Sequence, residues 1–305
     1  MELTFLGTSA GVPTRRRNVS ALALRPGQCS RWVLFDCGEA TQHQIMKSSL
    51  SLFMLERIFI THLHGDHIYG IFGLLASRGM LRAEGPLEIY GPEGLREMLE
   101  TVMRLSQLRL PFELSITEIP APWQRDFGPY RVEAVALSHS IPCYGYCLSE
   151  APRPGRFDPE RARRLGIPEG PLYGALQRGE SVTLPGGRRI DPSEVLGPSR
   201  PGKRVLIGGD NDRPELFAPC TPADLMIHEA TYTQADFDKL PVKFRHTTAR
   251  ALGIAAQRMG IPRLVATHFS PRYDSQNRLE EIRKEIQAHY RGEVILAEDL
   301  MQLKL

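Results

Sequence analysis

The stretch "ITHLHGDHIYG", residues 60 to 70, places three histidines and an aspartate within six positions. The chain has nine histidines in 305 residues, so a third of them sit in this segment. Imidazole nitrogen and carboxylate oxygen are the donors that zinc-type sites use. His62, His64, Asp66 and His67 together point to a metal centre rather than to histidines satisfied singly in a core. In an extended segment, residues two apart project the same way, so His62 and His64 can serve one ion together. A turn at Gly65 then redirects Asp66 and His67 toward a second ion. Two ions in one site need a bridging ligand that holds them about 3.5–4 Å apart. A carboxylate can bridge with its two oxygens, and Asp210 is the candidate. His139 and His268 would complete the two shells. The donors are nitrogen and oxygen, which suits two zinc ions and leaves manganese open.

Elements must carry these groups to one place. Short apolar runs recur along the chain and read as strands: "LTFLG", "WVLFDCG", "RIFITH", "LEIYG", "VEAVALSH", "KRVLIGGD", "DLMIHEAT" and "RLVATHFS". Five of them end in a ligand-type residue. "RIFIT" leads into His62, "VEAVALS" into His139 and "KRVLIGG" into Asp210. "DLMI" leads into His228 and Glu229, and "RLVAT" into His268. A side chain at a strand end can reach a site along one sheet edge without disturbing the core. Any one of these groups could be a structural hydrogen-bonding residue; five at matching positions is a stronger signal. "GLREMLETVMRLSQL", "TTARALGIAAQRMG" and "NRLEEIRKEIQAHY" carry helical spacing. The second has Thr247 or Thr248 as N-cap and Gly260 near its end. Strands and helices alternate irregularly, which favours α/β layers over a single doubly wound sheet.

Composition narrows the setting. The chain is 42% hydrophobic and 24% charged, enough for a large core, and carries a net charge of only +3. Cys29, Cys37, Cys143, Cys147 and Cys220 form no CxxC pair. That is no disulfide framework, and a reducing cytoplasm is the expected compartment. The N-terminus has no leader pattern, and no apolar run approaches the roughly 18 residues of a membrane span. Residues 150–204 break the rhythm, being dense in Pro, Gly and Arg. They hold eleven Arg and Lys against seven Asp and Glu, so the basic excess of the chain lives here. A loop of this length inside a compact domain is usually functional or disordered. Apolar residues from Phe157 to Leu176 argue for local packing. We therefore expect one domain over 1–305 with an inserted basic arm at 150–204.

"HLHGDH" with a distant His, Asp and His resembles the metallo-β-lactamase fold, an αββα sandwich. That motif sets fold and metal but not substrate. "FLGTSAGVPTRRRNVSALAL", "LFDCGEATQ", "HEATY", "HTTARALGIAA" and "THFSPRY" together resemble the ribonuclease Z family, endonucleases that trim tRNA 3′ ends. "LGIPEGPLYGALQRGESVTLPGGRRI" resembles that family's flexible arm, which clamps the tRNA body. The likeness runs along nearly the whole chain. It implies one zinc on His62, His64, His139 and Asp210, and another on Asp66, His67, Asp210 and His268. It implies a proton relay at Glu229 and His246, with His228 free to be structural. In the arm, the family's Gly-Pro pair falls on Gly170 and Pro171. It also implies a cytoplasmic homodimer that acts on precursor tRNA.

The residues make chemical sense beside the family. Hydrolysing a phosphodiester needs a nucleophile at neutral pH, and a zinc-bridging water supplies one. Asp66 is placed to orient that water, and His246 as imidazolium can protonate the leaving 3′ oxygen. Glu229 beside it would raise its pKa. Three departures stand out: Asn211 where the family usually has Thr, "CGEA" for "CGEG", and "HTT" for "HST". "RRR" at 15–17 reads as either a phosphate contact or a solvated loop. The competing readings are a small-molecule phosphodiesterase or lactamase-like hydrolase, and a tRNA-binding protein with a decayed site.

Overall fold

The computed structural model describes residues 1–27 and 29–305. Its strands, in chain order, begin with β1 (Glu2–Gly7), β2 (Ala21–Arg25), β3 (Trp32–Phe35), β4 (Leu55–Phe59), β5 (Leu87–Gly91) and β6 (Leu114–Glu118). Then come β7 (Trp123–Asp126), β8 (Tyr130–Leu137), β9 (Cys143–Glu150), β10 (Val182–Thr183) and β11 (Arg189–Ile190). The series closes with β12 (Arg204–Ile207), β13 (Leu225–Glu229), β14 (Arg263–Thr267), β15 (Glu293–Leu296) and β16 (Gln302–Lys304). One seven-stranded sheet runs β16-β1-β2-β3-β4-β5-β6, and the other runs β15-β14-β13-β12-β9-β8-β7.

In both sheets the central strands are parallel: β3 with β4 and β5, and β12 with β13 and β14. Parallel strands covered on both faces read as continuous apolar runs, and "WVLF" and "RLVAT" do so. Between the sheets lie Phe5, Phe35, Phe59, Tyr146, Val205 and Ile227. The helices over the first sheet include α1 (Thr41–Met46), α2 (Gly65–Ile68), α3 (Ile71–Met80) and α4 (Leu95–Leu105). Leu74, Leu75, Leu95 and Leu99 pack there on Leu34, Ile58 and Ile89. Two further helices, α5 (Pro159–Arg164) and α6 (Pro171–Gln177), belong to the insertion; α7 (Gln234–Asp238), α8 (Ala249–Arg258) and α9 (Gln276–Gln287) follow it. Leu252, Ala256, Ile282 and Ile286 pack on the outer face of the second sheet. The result is the αββα sandwich expected from the motif.

Local rules explain the helix that leads away from the site. Thr248 caps α8, its hydroxyl accepting from Ala251 N at 3.2 Å. Gly260, at φ 65°, ends it, because that left-handed conformation suits a residue without a Cβ. No helix among the described residues is long and apolar enough to cross a membrane.

Two readings need correction. The structure joins Cys147 to Cys220 as a disulfide. The two lie 73 positions apart, and only the meeting of β9 with the turn Pro214–Cys220 brings them together. The insertion is also less basic than its span in sequence implied. Contacts divide the chain into Met1–Ser149 with Lys203–Leu305, and Glu150–Gly202. Lys203 and Arg204 thus leave the insertion: Lys203 Nζ sits 2.6 Å from Asp224, and Arg204 opens β12. Glu150–Gly202 carries nine basic and seven acidic residues, a net +2 rather than +4. It has an apolar cluster of its own, with Ala162, Ile167, Leu176, Val182, Ile190 and Val195 buried. Gly170 and Pro171 are exposed and begin α6, with Gly170 at φ 136°.

Candidate metal centre

Each sheet delivers part of the site. After β4 the chain leaves the first sheet through Ile60 and Thr61 to His62, which is fully buried. His64 is extended and caps α2, so Asp66 and His67 fall in its first turn. At Gly65 a Cβ would lie 2.2 Å from the Tyr69 ring, so a side chain there would have to displace that ring. The second sheet supplies His139 after β8, Asp210 after β12, Glu229 at the end of β13 and His268 after β14. His268 sits at φ 54°, a strained backbone position for a residue with a Cβ.

Two groups of donors converge. In the first, His139 Nε2 lies 3.1 Å from His64 Nδ1. Asp210 Oδ2 lies 3.7 Å from His139 Nε2 and 3.8 Å from His62 Nε2. In the second, His67 Nε2 is 3.3 Å from His268 Nε2 and 3.6 Å from Asp66 Oδ2. Asp210 Oδ1 lies 3.2 Å from both of these histidines. One carboxylate therefore faces both groups, one oxygen to each. Asp66 Oδ2 is steadied by Gly11 N at 2.8 Å.

These residues fit a metal. His62 Nε2 and Asp210 Oδ1 are buried and have no hydrogen-bond partner among the described residues. Leaving such atoms unpaired is costly, and a cation in each donor group would satisfy them. His62, His64, His139 and Asp210 can hold one ion, and Asp66, His67 and His268 another. The electrostatics agree. Burial would raise the Asp210 pKa, but His268 and His67 outweigh it and hold it well below the usual carboxylate range. Burial depresses the His62 pKa, reinforced by the other histidines, which favours the neutral, ligating form.

A second pair sits beside the donors. His246 Nδ1 is 3.1 Å from Glu229 Oε2 and 3.8 Å from Asp210 Oδ2. Glu229 is 2% exposed and held on both oxygens, by Asn211 N at 2.6 Å and by the Thr231 hydroxyl. Burial pulls the His246 pKa down, yet the Glu229 carboxylate and its hydrogen bond outweigh that and push it up to about 9. His228 is buried away from the donors, with Nε2 at 3.1 Å from Asn211 Nδ2. Of the three arginines at 15–17, Arg17 is committed to structure. Its guanidinium donates to Ala297 O at 2.7 Å and lies over the Phe269 ring.

One site residue escaped the sequence reading. Asp36, at 5% exposure and φ 58°, accepts from Thr61 N at 2.7 Å and from Thr61 Oγ1 at 2.9 Å. His67 Nδ1 lies 2.7 Å from its Oδ2. This fixes the His67 tautomer with Nε2 facing the site and raises its basicity. The signal was present, since Asp36 also ends a strand run, in "WVLFDCG". Asp36→Ala should weaken metal affinity by roughly 10–100-fold. Competition with a calibrated chelator measures this, and an unchanged affinity would show that His67 holds its orientation alone.

An αββα sandwich with imidazoles and carboxylates gathered at one edge of its sheets defines a metallo-β-lactamase-fold protein with a metal-ligating site. The fold likeness extends to YhfI of Bacillus subtilis, a metallo-β-lactamase fold protein (TM-score 0.66, 18% identity, 99% of this chain and 98% of that one). The chain belongs to the ribonuclease Z family. It is 44% identical to ribonuclease Z of Pseudomonas putida (strain GB-1), over 100% of this chain and 97% of the relative. Identity to ribonuclease Z of Crocosphaera subtropica is also 44%, over 99% and 97%. The structure of human tRNase Z, short form, matches with a TM-score of 0.70 and 30% identity, covering 100% of this chain and 99% of that one. The sequence model of one further family, described as anti-Pycsar protein Apyc1, matches residues 1–109, less than half of the chain.

Proposed function

We propose that the protein is a metal-dependent endoribonuclease that removes the 3′ trailer of precursor tRNA by phosphodiester hydrolysis, leaving a 3′ hydroxyl on the tRNA. Likeness to ribonuclease Z along the whole chain carries the substrate. The Asp210 carboxylate facing two donor groups supports the chemistry. His62, His64, His139 and Asp210 would hold one zinc, and Asp66, His67, His268 and Asp210 a second, with manganese the other candidate ion. Such a metal pair supplies a hydroxide nucleophile at neutral pH and offsets charge on the phosphoryl oxygens. Asp66 accepts a hydrogen bond from the attacking water and so orients it. Glu229 holds His246 through Nδ1, which leaves Nε2–H as the donor to the departing 3′ oxygen. With a pKa near 9, His246 carries that proton at neutral pH. The family resemblance also implies a cytoplasmic homodimer, which sedimentation can check.

Mapping the cut on an unprocessed precursor tRNA, alongside turnover of a chromogenic phosphodiester, tests the reading. A single cut at the start of the trailer supports it. Turnover of the small ester with the RNA left intact would instead favour a small-molecule phosphodiesterase.

The insertion is the proposed tRNA clamp, with Gly170 and Pro171 at the head of α6. Arg156, Arg161 and Arg164 form no ion pair among the described residues, whereas Arg163, Arg178, Arg188 and Arg189 are each matched to an acid. Replacing Phe157–Leu184 by a Gly/Ser linker removes Arg161 and Arg164 and leaves every donor of the site in place. Precursor-tRNA binding should weaken by on the order of tenfold to a thousandfold, with a flatter salt dependence. Hydrolysis of the chromogenic ester should stay within a few-fold. Kinetics on both substrates at two salt concentrations decide it: equal losses on both would make the insertion a support for the active site.

A further inference from the structure

Asn211 is fully buried, and its side chain joins three parts of the site. One amide atom lies 3.1 Å from Ser138 N and 3.1 Å from Arg213 N. Both partners are backbone N–H groups, which only donate, so this atom is the carbonyl oxygen, Oδ1. The other, Nδ2, is then a donor, and His228 Nε2 at 3.1 Å must accept from it. His228 Nδ1 lies 3.0 Å from the Glu229 carbonyl oxygen and must donate to it. A single tautomer of neutral His228 satisfies the whole chain. The backbone of Asn211 completes the arrangement. Its N–H donates to Glu229 Oε1 at 2.6 Å, and its carbonyl accepts from the Thr247 hydroxyl, next to His246. Ser138, the neighbour of His139, returns the contact by accepting from Asp212 N at 3.2 Å.

We propose that Asn211 is a positioning residue for the acid pair. Its amide pins its own peptide between β8 and β13, and that peptide sets Glu229 on one side and the segment bearing His246 on the other. The inference rests on the nuclease reading above. A threonine hydroxyl here would be a single atom on a shorter stem. It cannot supply a double acceptor and a donor from the two places the amide atoms occupy. The asparagine is thus matched to a buried His228 that offers an acceptor.

The test is a double-mutant cycle on precursor tRNA with Asn211→Ala, His246→Ala and the double variant, with metal content and thermal melts for each. Asn211→Ala should lower kcat by roughly 10–100-fold, because a small misplacement of a reacting group costs about that much. KM should stay within about threefold and metal content should be unchanged. In the His246→Ala background the same substitution should cost less than about twofold, since the group it positions is gone. An equal factor in both backgrounds would overturn the proposal, as would a loss of metal that accounts for the loss of turnover. Asn211→Asp keeps the shape but turns an acceptor toward His228 Nε2, and it serves where the alanine variant does not fold. Wild-type turnover in Asn211→Asp would also defeat the proposal. If His246→Ala retains full turnover, the acid-pair reading fails and takes this inference with it. If His246→Ala is impaired and the losses multiply, this inference alone fails.

Discussion

Asp210→Ala should leave the protein folded and without either of the two proposed metal ions. The carboxylate faces His62 and His139 with Oδ2, and His67 and His268 with Oδ1. Its removal deprives both donor groups at once and leaves five imidazoles close together with less counter-charge. Turnover should fall by about a thousandfold or more, since metal stabilisation of the transition state amounts to several kcal/mol. Metal content by elemental analysis, with a melting curve to establish folding, is the measurement. A folded Asp210→Ala protein with its full metal complement would end the bridging assignment. His228→Ala is a useful contrast: that histidine is buried but turned away from the donors, so its loss should lower stability while metal content holds.

Glu229→Gln and His246→Ala should each cut kcat by about 10²–10⁴-fold with metal content close to normal. His246 gives a sharper readout through pH. Its pKa is raised, so the imidazolium persists through neutral pH and loses its proton as pH rises through about 9. The protonated form is the proposed donor, so kcat should decline on the alkaline side near that value. Removing the Glu229 charge takes away the main influence raising the pKa, and the decline should move to lower pH. Because the two act as one unit, the double variant should be little worse than either single one. Multiplicative losses, or an alkaline limb indifferent to Glu229, would mean that they act separately.

The parts legible in the sequence were those that chain periodicity records. A strand whose two faces are covered reads as an apolar run, so β1, β3, β4, β5, β12, β13 and β14 announced themselves, as did β8 with one face partly exposed, together with the ligand-type residues that end five of the runs. The caps of α8 were legible because a threonine side chain and a left-handed glycine are local chemistry. Other features depend on distance in space. Asp36 reaches His67 across 31 positions, and its place at the end of a strand run marks it as a candidate without naming its partner. The Cys147–Cys220 bond depends on how β9 meets the turn after β12. Arg17 looked like one of three equal cations, yet Phe269 and Ala297 reach it from the far end of the chain. Short strands such as β7 and β16 carry too few buried residues to leave a pattern. The charge of the insertion was misjudged for a related reason: its boundary is set by which residues pack together, and two basic residues at its end belong elsewhere.

The order of donors along the chain has a consequence for how the protein is made. The first sheet contributes His62 to His67 early in synthesis, whereas His139, Asp210 and His268 arrive with the second sheet. The last strand, β16, then returns to pair with β1 at the far edge of the first sheet. A growing chain therefore completes the first donor group only once Asp210 has emerged, and the second only once His268 has. No amino-terminal fragment that stops short of His268 carries the complete set, so premature termination products should be born without a working centre. Loading with metal is in this sense a late inspection of the finished chain, passed only when both halves of the sandwich have met.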